Sequence, residues 1–321
     1  MQDNVNFAFV TSLLDVRCSM PVKIIEDCYF QRATTTQVEH IRQFLDSARS
    51  FTNNLFPYEY NYIIRENTAT SLVYELQHLE PKDWRYYVLA FEGLNSKIHD
   101  LAKAANILEN ELEFNIQFIK HEEASSESKE SYGALHNPRF TVDHFYKIAN
   151  QFPISFEVLE DKHLQELSLI YQDIQQFDES KFPKIKQAIE MLDDLKHLPY
   201  DSKFNILGLF TIIEFLITHN PKDEGDSLTR QVSHKVPLLL RHFREKIDYS
   251  IFDKNTPETT IWKKIYAYRS DIAHGNSSNF SKELSVLKDS DNVQKFLKLI
   301  IKKLLRHALT EPQLYVDLKE C

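Results

Sequence analysis

The spacing of apolar and polar residues changes along the chain and divides it into two predicted domains. In residues 1–158, short apolar runs and alternating segments, typical of strands, occur beside segments with helical spacing. In residues 159–321, apolar residues recur three or four positions apart in one segment after another, which is typical of helices. The pattern predicts a mainly α protein, in which a helical bundle follows a smaller α+β domain.

The predicted elements of the first domain are short. Strands are expected where apolar runs are rich in β-branched and aromatic residues or alternate with polar ones, at 7–14, 22–28, 86–90 and 113–119. Helices are expected at 36–48, 96–106 and 142–150. Residues 121–133 are low in apolar residues and rich in Ser and Glu, which predicts an exposed loop.

The second domain is predicted to be a series of helices, at 161–177, 180–195, 202–220, 227–247, 258–274 and 290–309. We expect Asp201 or Ser202 to cap the third of these helices, Asp226 to cap the fourth and Gly275 to end the fifth. Pro237 is expected to kink the fourth helix. The third helix is apolar on nearly every face and should lie buried in the bundle.

Composition and charge exclude several classes of function. Only 5 of the 321 residues are Gly, and the closest two lie 17 positions apart, so neither a P-loop nor a dinucleotide-binding fingerprint can be present. The net charge of −9 is unevenly spread, with −12 in residues 1–200 and +3 in residues 201–321. The second part of the chain therefore permits a phosphate-bearing ligand.

Cysteine and histidine patterns indicate neither a metal site nor a disulfide framework. The chain has three Cys, no CxxC and no HExxH, so we expect no metal and no cofactor. An odd number of cysteines is typical of a reducing compartment. Without a basic leader or a stretch of about 18 apolar residues, we expect a cytoplasmic protein that does not contact a membrane.

One segment, residues 265–275 (IYAYRSDIAHG), carries candidate chemistry. In it, Arg269 is followed five positions later by His274. This spacing is weak by itself, because Arg139 and His144 repeat it in a polar segment of the first domain. Context separates the two pairs, since only the pair at 269 and 274 lies near the end of a predicted bundle helix in the basic part of the chain.

Three features of the second domain occur together. The first is the apolar helix NILGLFTIIEFLI with Glu214 in its middle, and the second is the next helix, DSLTRQVSHKVPLLL. The third is a YxxRSxxxHG pattern followed by one amphipathic helix, and it consists of Tyr266, Arg269, Ser270, His274 and Gly275. Over about residues 160–310, this combination resembles a HEPN domain, and most of all the Apea-type branch of that family.

The resemblance implies a homodimeric bundle that cleaves RNA without a metal, at a cleft shared by both copies. His274 would exchange protons near neutral pH, and Arg269 would hold the phosphate. Ser270 would orient the phosphate or the imidazole. The supporting residues would be Glu214, Tyr266 and Asp271.

The resemblance also implies a setting, a toxin or an antiviral role, in which residues 1–158 sense a trigger or restrain the nuclease. Some HEPN toxins carry a tyrosine two places after the His, which a partner enzyme modifies. This chain has Asn276 there, so that regulation is not expected. Many HEPN domains have lost catalysis, so a non-catalytic dimerisation or RNA-binding module is the alternative function.

Helix geometry leaves two arrangements open. Five positions along an ideal helix separate Arg269 and His274 by about 140°. Either the helix ends before His274, or the site is composite across a dimer.

Each candidate also has a structural interpretation. His274 could bond the last carbonyls of its helix, and Arg269 could pair with Asp271 or Glu258. Glu214 could form an ion pair inside the bundle. The remaining side chains are expected in the core or on a solvated face rather than against RNA: Trp262, Tyr266, Tyr268, Lys295, Lys298, Lys302, Lys303 and Arg306.

Overall fold

The computed structural model describes residues 5–49, 57–67, 71–93, 96–110, 112–121, 131–136, 155–199, 202–220, 227–243, 247–254 and 256–320. The chain forms two compact units, Met1–Tyr171 and Gln172–Cys321. Helices predominate, and the strands of the described residues all belong to the first unit. A mainly α protein with an α+β N-terminal part is therefore confirmed. The helix predicted at 142–150 and most of the polar segment at 121–133 lie outside the described residues.

Ten strands occur in the described part of the first unit. They are β1 (Asn6–Phe9), β2 (Leu14–Val16), β3 (Val22–Ile25), β4 (Cys28–Arg32), β5 (Tyr60–Asn67), β6 (Ser71–His78), β7 (Tyr87–Phe91), β8 (Ile116–His121), β9 (Ser131–Leu135) and β10 (Glu157–Leu159). Six of them form one sheet in the order β3-β4-β7-β1-β8-β9. The other four form two-stranded ladders, an antiparallel β5–β6 hairpin and a parallel β2–β10 pair.

The central strand β1 carries the core of the sheet. Its Phe7, Ala8 and Phe9 are fully buried, because the strand pairs with β7 on one side and β8 on the other. Phe7 stacks on Phe118, with the ring centroids 4.6 Å apart. The helix α1 (Thr35–Arg49) adds Ile41 to the same apolar cluster. The second helix of this unit is α2 (Ser96–Ile107).

The predicted strands, and the helices predicted at 36–48 and 96–106, occur at their expected places with shifted ends. The loop expected at 121–133 is wrong at both of its described ends, because His121 belongs to β8 and residues 131–133 belong to β9. The run at 7–14 contains two strands rather than one, because β1 ends at Phe9 and β2 begins at Leu14. The β5–β6 hairpin was not expected. Its connecting residues read TAT and lack the Asn-Gly or Asp-Gly pair that marks a tight hairpin turn.

Seven further α-helices lie in the described residues: α3 (Asp161–Gln176), α4 (Pro183–Asp194), α5 (Phe204–Ile217), α6 (Leu228–His242), α7 (Glu258–His274), α8 (Ser290–Thr310) and α9 (Pro312–Glu320). The helix α5 packs against α4, α6, α7, α8 and α9. Its side chains are buried on most faces, among them Leu209, Phe210 and Ile213. The expectation of a buried apolar helix is confirmed, and α5 is the element from which the other helices take their positions.

Both ends of α6 differ from the predictions. The N-cap of α6 is Ser227 rather than Asp226, and its hydroxyl accepts a hydrogen bond from the Arg230 N–H at 3.3 Å. This helix ends at His242, earlier than expected, and Pro237 lies buried inside it. The helix α9 was not expected as a separate element.

Candidate functional site

The candidate site residues lie on two helices that pack together, α5 and α7. Pro257 precedes α7 and Glu258 begins it, as the sequence predicted. One side of α7 is anchored in the core through Ile261, Trp262 and Ile265. Five of the candidate residues therefore follow each other along this one helix: Tyr266, Arg269, Ser270, Asp271 and His274.

Arg269 of α7 forms an ion pair with Glu214 of α5. Its Nη2 donates to Oε2 of Glu214 at 3.2 Å, and the side chains are only 26% and 13% exposed. The expected partners Asp271 and Glu258 are not used. Glu258 instead pairs with Arg241, also at 3.2 Å but at an exposed position.

The Glu214–Arg269 contact uses only part of the hydrogen-bonding capacity of both groups. Oε1 of Glu214 and Nε of Arg269 are buried, and neither finds a hydrogen-bond partner among the described residues. Burial raises the pKa of Glu214, and the nearby Arg269 charge lowers it by a smaller amount. The pair is thus incompletely satisfied, because one buried N–H of the guanidinium and one buried carboxylate oxygen keep unused hydrogen-bonding capacity.

Tyr266 supports Arg269 from the same helix. The guanidinium carbon lies 5.7 Å from the centre of the Tyr266 ring, within cation–π range. The Tyr266 ring in turn packs edge-on against Phe210 of α5, at 5.5 Å between centroids. The arginine is held on two sides, by a carboxylate and by an aromatic face.

His274 is the last residue of α7, and its side chain is exposed. Gly275 follows in the left-handed conformation, with φ 70° and ψ 20°. The Gly275 N–H donates to Ile272 and the Asn276 N–H donates to Asp271, which together form a Schellman motif. The expected helix stop at Gly275 is confirmed.

The helix continues through His274, so the interpretation in which it ends earlier is wrong. Arg269 and His274 consequently project about 140° apart. Within the described part of the chain, no hydrogen bond, ion pair or ring contact joins them. One copy of the protein does not bring the two side chains together, and the composite arrangement across a dimer stays a prediction.

A polar cavity of about 410 Å³ borders the His274 side of α7. Ala267 and Asp271 line it, and a seven-residue separation places Ala267 and His274 on the same helix face. Lys264 and Lys282 supply two cations to its wall, and Asp271 and Glu283 supply two carboxylates. His274 follows this face at the end of the helix but is not one of the residues that line the cavity, and Arg269 faces α5.

The aromatic residues of α7 and the lysines of α8 differ in how exposed they are. Trp262 and Tyr268 are 1% exposed and belong to the core, as expected. On α8, Lys295 is exposed but Lys303 is buried, so the expectation of a solvated lysine face is wrong at Lys303. A base could stack on neither of the two core aromatics.

A buried polar cluster in the first unit was not anticipated. Glu59 is 3% exposed and accepts a hydrogen bond from the Tyr86 hydroxyl at 2.6 Å. Nε of Arg42 lies 3.2 Å from the same carboxylate. Burial, followed by the Glu59 contact, raises the pKa of Tyr86. No motif marks these residues, since they come from separate segments of the sequence.

The described residues contain no group of three or more His, Cys, Asp or Glu side chains that could hold a metal ion. Among those residues, no helix has the length and apolar character needed to cross a membrane. No family model, curated protein or solved structure matches this chain. The candidate site therefore has to be interpreted from its own geometry.

Proposed function

We propose that the chain is a metal-independent endoribonuclease of the HEPN type, with a site composed of residues from two copies. The observation that carries this proposal is the arrangement of α7. An exposed His274 ends the helix, and Arg269 lies five residues earlier, held by the Glu214 carboxylate and the Tyr266 ring with 26% of its side chain exposed.

The residues suit attack by a ribose 2′-OH on the adjacent phosphate. The new bond joins the 2′-oxygen to phosphorus, and the bond from phosphorus to the 5′-oxygen breaks. The products are a 2′,3′-cyclic phosphate and a 5′-OH end. The imidazole of His274 takes or returns the proton, and the Arg269 guanidinium stabilises the charge of the phosphorane. Ser270 is adjacent to Arg269 and is proposed to orient the phosphate.

The homodimer is proposed because the two side chains lie apart on α7 and one copy does not bring them together. A two-fold axis near the end of α7 would bring Arg269 of one copy towards His274 of the other. The partners proposed on this basis are RNA and a second copy of the chain. From the resemblance alone, we propose a cytoplasmic toxin or antiviral role in which the first domain responds to a trigger.

A non-catalytic RNA-binding or dimerisation module is the second candidate. The observation that favours it is the Glu214 carboxylate, which neutralises Arg269 at 3.2 Å and competes with any phosphate for the guanidinium. In this function the Glu214–Arg269 pair serves the stability of the bundle, and His274 is a surface residue.

Cleavage of RNA in the presence of EDTA tests the proposal. We expect wild type to leave cyclic phosphate ends, and His274→Ala and Arg269→Ala to lose at least about 100-fold in rate. His234, an exposed histidine of α6, provides the matched control as His234→Ala, which should cut like wild type.

Equal cutting by wild type and both site variants, or a requirement for added metal, would reject the nuclease function. If the resting protein does not cut RNA, toxicity on expression is the second readout. Toxicity that His274→Ala removes supports the nuclease, and RNA binding that survives in all variants without toxicity supports the non-catalytic module.

A further inference from the structure

A cavity of about 350 Å³ opens between the start of α4, the end of α5 and α9. Its walls are apolar, and they include Phe182, Ile185, Leu216 and Tyr315. These four side chains are buried, so the walls are parts of the core rather than loose surface groups. The Tyr315 hydroxyl donates to the Leu304 carbonyl at 2.7 Å, which leaves the tyrosine ring as apolar lining.

Three lysines line the same cavity: Lys181, Lys184 and Lys319. The Lys319 ammonium donates to the backbone carbonyl of Phe215 and lies 5.0 Å from the centre of the Phe215 ring. Lys319 therefore stays half-buried at the cavity instead of extending into solvent. Glu320 is the one carboxylate among the described lining residues.

Positive charge at this cavity is not balanced. Burial lowers the pKa of Lys319 to about 8, and repulsion from Lys184 and then Lys235 contributes to the shift. Among the described residues, no carboxylate raises the pKa of Lys319 enough to offset these effects. Within that part of the chain, Lys319 has no anionic partner of the kind that a half-buried ammonium ordinarily has.

We propose that this cavity binds a small amphiphilic anion, a carboxylate with an apolar tail. The tail would lie on Phe182, Leu216 and Tyr315, and the carboxylate would meet the ammonium groups of Lys319 and Lys184. The volume is near the lower end of the usual range for ligand sites, which fits a tail of about eight to ten carbons. The site is separate from Arg269 and His274, and it does not depend on the proposed nuclease function.

Three probes that share parts of one structure test the proposal by calorimetry on the full chain. Decanoate has both the charge and the tail, decanol only the tail, and acetate only the charge. We expect decanoate to bind with a Kd on the order of 10–100 μM, decanol at least about 10-fold more weakly, and acetate not measurably. No decanoate binding at about 1 mM, or equal affinity for decanol, would overturn the proposal.

Variants locate the site. Lys319→Gln and Lys184→Gln should each weaken decanoate binding about 5- to 10-fold, because each removes one cation from the wall. Val316 also lines the cavity and is 38% exposed, so Val316→Asp adds a repelling charge without disturbing the core. Lys263→Gln, at an exposed lysine of α7, is the control and should bind normally. Wild-type affinity in all three cavity variants would contradict the assignment.

Chemical labelling provides a readout that does not depend on substitution. With a pKa of about 8, Lys319 should react with an amine-directed reagent at pH 8 faster than the exposed Lys263. Decanoate should protect Lys319 and leave Lys263 unchanged. Labelling of Lys319 that is indifferent to saturating decanoate would place the ligand elsewhere.

Discussion

Arg269 and Glu214 meet through one nitrogen and one oxygen, 3.2 Å apart, although 55 positions separate them in the chain. The contact joins α7 to the buried helix α5 and fixes the direction of the guanidinium. Because the second carboxylate oxygen and Nε remain without a hydrogen bond, the pair is held in place without being saturated. Both the stability of the bundle and its dependence on pH should therefore respond to changes in this contact.

Breaking the Glu214–Arg269 pair should destabilise the bundle. We expect Glu214→Ala or Arg269→Ala to lower the free energy of unfolding by about 1–3 kcal/mol, because each leaves a poorly solvated charge without its partner. The double variant should lose less than the sum of the two. Denaturant unfolding in a Trp84→Phe background measures this, since Trp262 then reports on the bundle alone.

The exposed Arg241–Glu258 pair is the control for that measurement. It has the same residue types and the same 3.2 Å separation, but its side chains are 73% and 41% exposed. Removing either residue should cost no more than about 0.5 kcal/mol. Equal costs for the two pairs would show that burial does not determine the contribution of Glu214.

The pH dependence of stability should reveal the Glu214 carboxyl. Burial raises its pKa above the usual 4.5, so the unfolded chain gives up this proton at lower pH than the folded chain. The stability that this carboxyl contributes is therefore present at low pH. It is lost as pH rises from the pKa of the group in the unfolded chain through its pKa in the folded chain. The wild-type free energy of unfolding, minus that of Glu214→Gln, should fall as pH rises above about 4.5 towards neutral. A difference that rises over this range would contradict the direction of the shift.

Mixing two inactive variants tests the composite site. In a mixed dimer of Arg269→Ala and His274→Ala, one of the two sites combines an intact arginine with an intact histidine. After random exchange of subunits, we expect about a quarter of wild-type RNA cleavage. Each variant incubated alone under the same conditions is the control. No recovery, with exchange verified by mass, would mean that each copy carries its own complete site.

The stability lost on replacing Gly275 should depend on how readily the new residue adopts a positive φ. Its φ is +70°, yet a Cβ there would meet no atom within 4 Å. We expect Gly275→Ala to cost about 1 kcal/mol through backbone strain, and Gly275→Asn to cost less, because Asn enters the left-handed region more readily. Denaturant unfolding measures both. An alanine variant as stable as wild type would refute the role of the Schellman motif.

Gly208 should respond for a different reason. A Cβ on it would collide with the side chain of Leu195, and its backbone is helical. Gly208→Ala should cost about 1–3 kcal/mol from overpacking. The shorter side chain of Leu195→Ala, combined with Gly208→Ala, should recover part of the lost free energy of unfolding. Leu195→Ala should not recover the stability that Gly275→Ala loses.

The sequence predicted the bundle well because its apolar residues recur with helical spacing and because proline and glycine residues mark helix ends. Pro257 and Gly275 marked both ends of α7. The Glu214–Arg269 pair could not be derived in the same way, because spacing along the chain does not say which helices become neighbours. The apolar surroundings of Glu214 only indicated that a partner was required.

Other features left no usable signal. The residues that connect β5 and β6 have no special backbone preferences, so the sequence does not indicate a hairpin there. The cluster around Glu59 joins residues from α1, β7 and the segment before β5. The cavity beside Lys319 depends on α9, a helix in residues for which the sequence pattern gave no prediction.

The position of β1 in the six-stranded sheet has a consequence for synthesis. This strand is near the start of the chain, but its two neighbours are β7 and β8, which are translated much later. The centre of the sheet therefore cannot close until about residue 118 has left the ribosome, and Phe7 and Phe9 stay exposed until then. A chaperone should therefore engage nascent chains shorter than this limit, and release them once β8 is available.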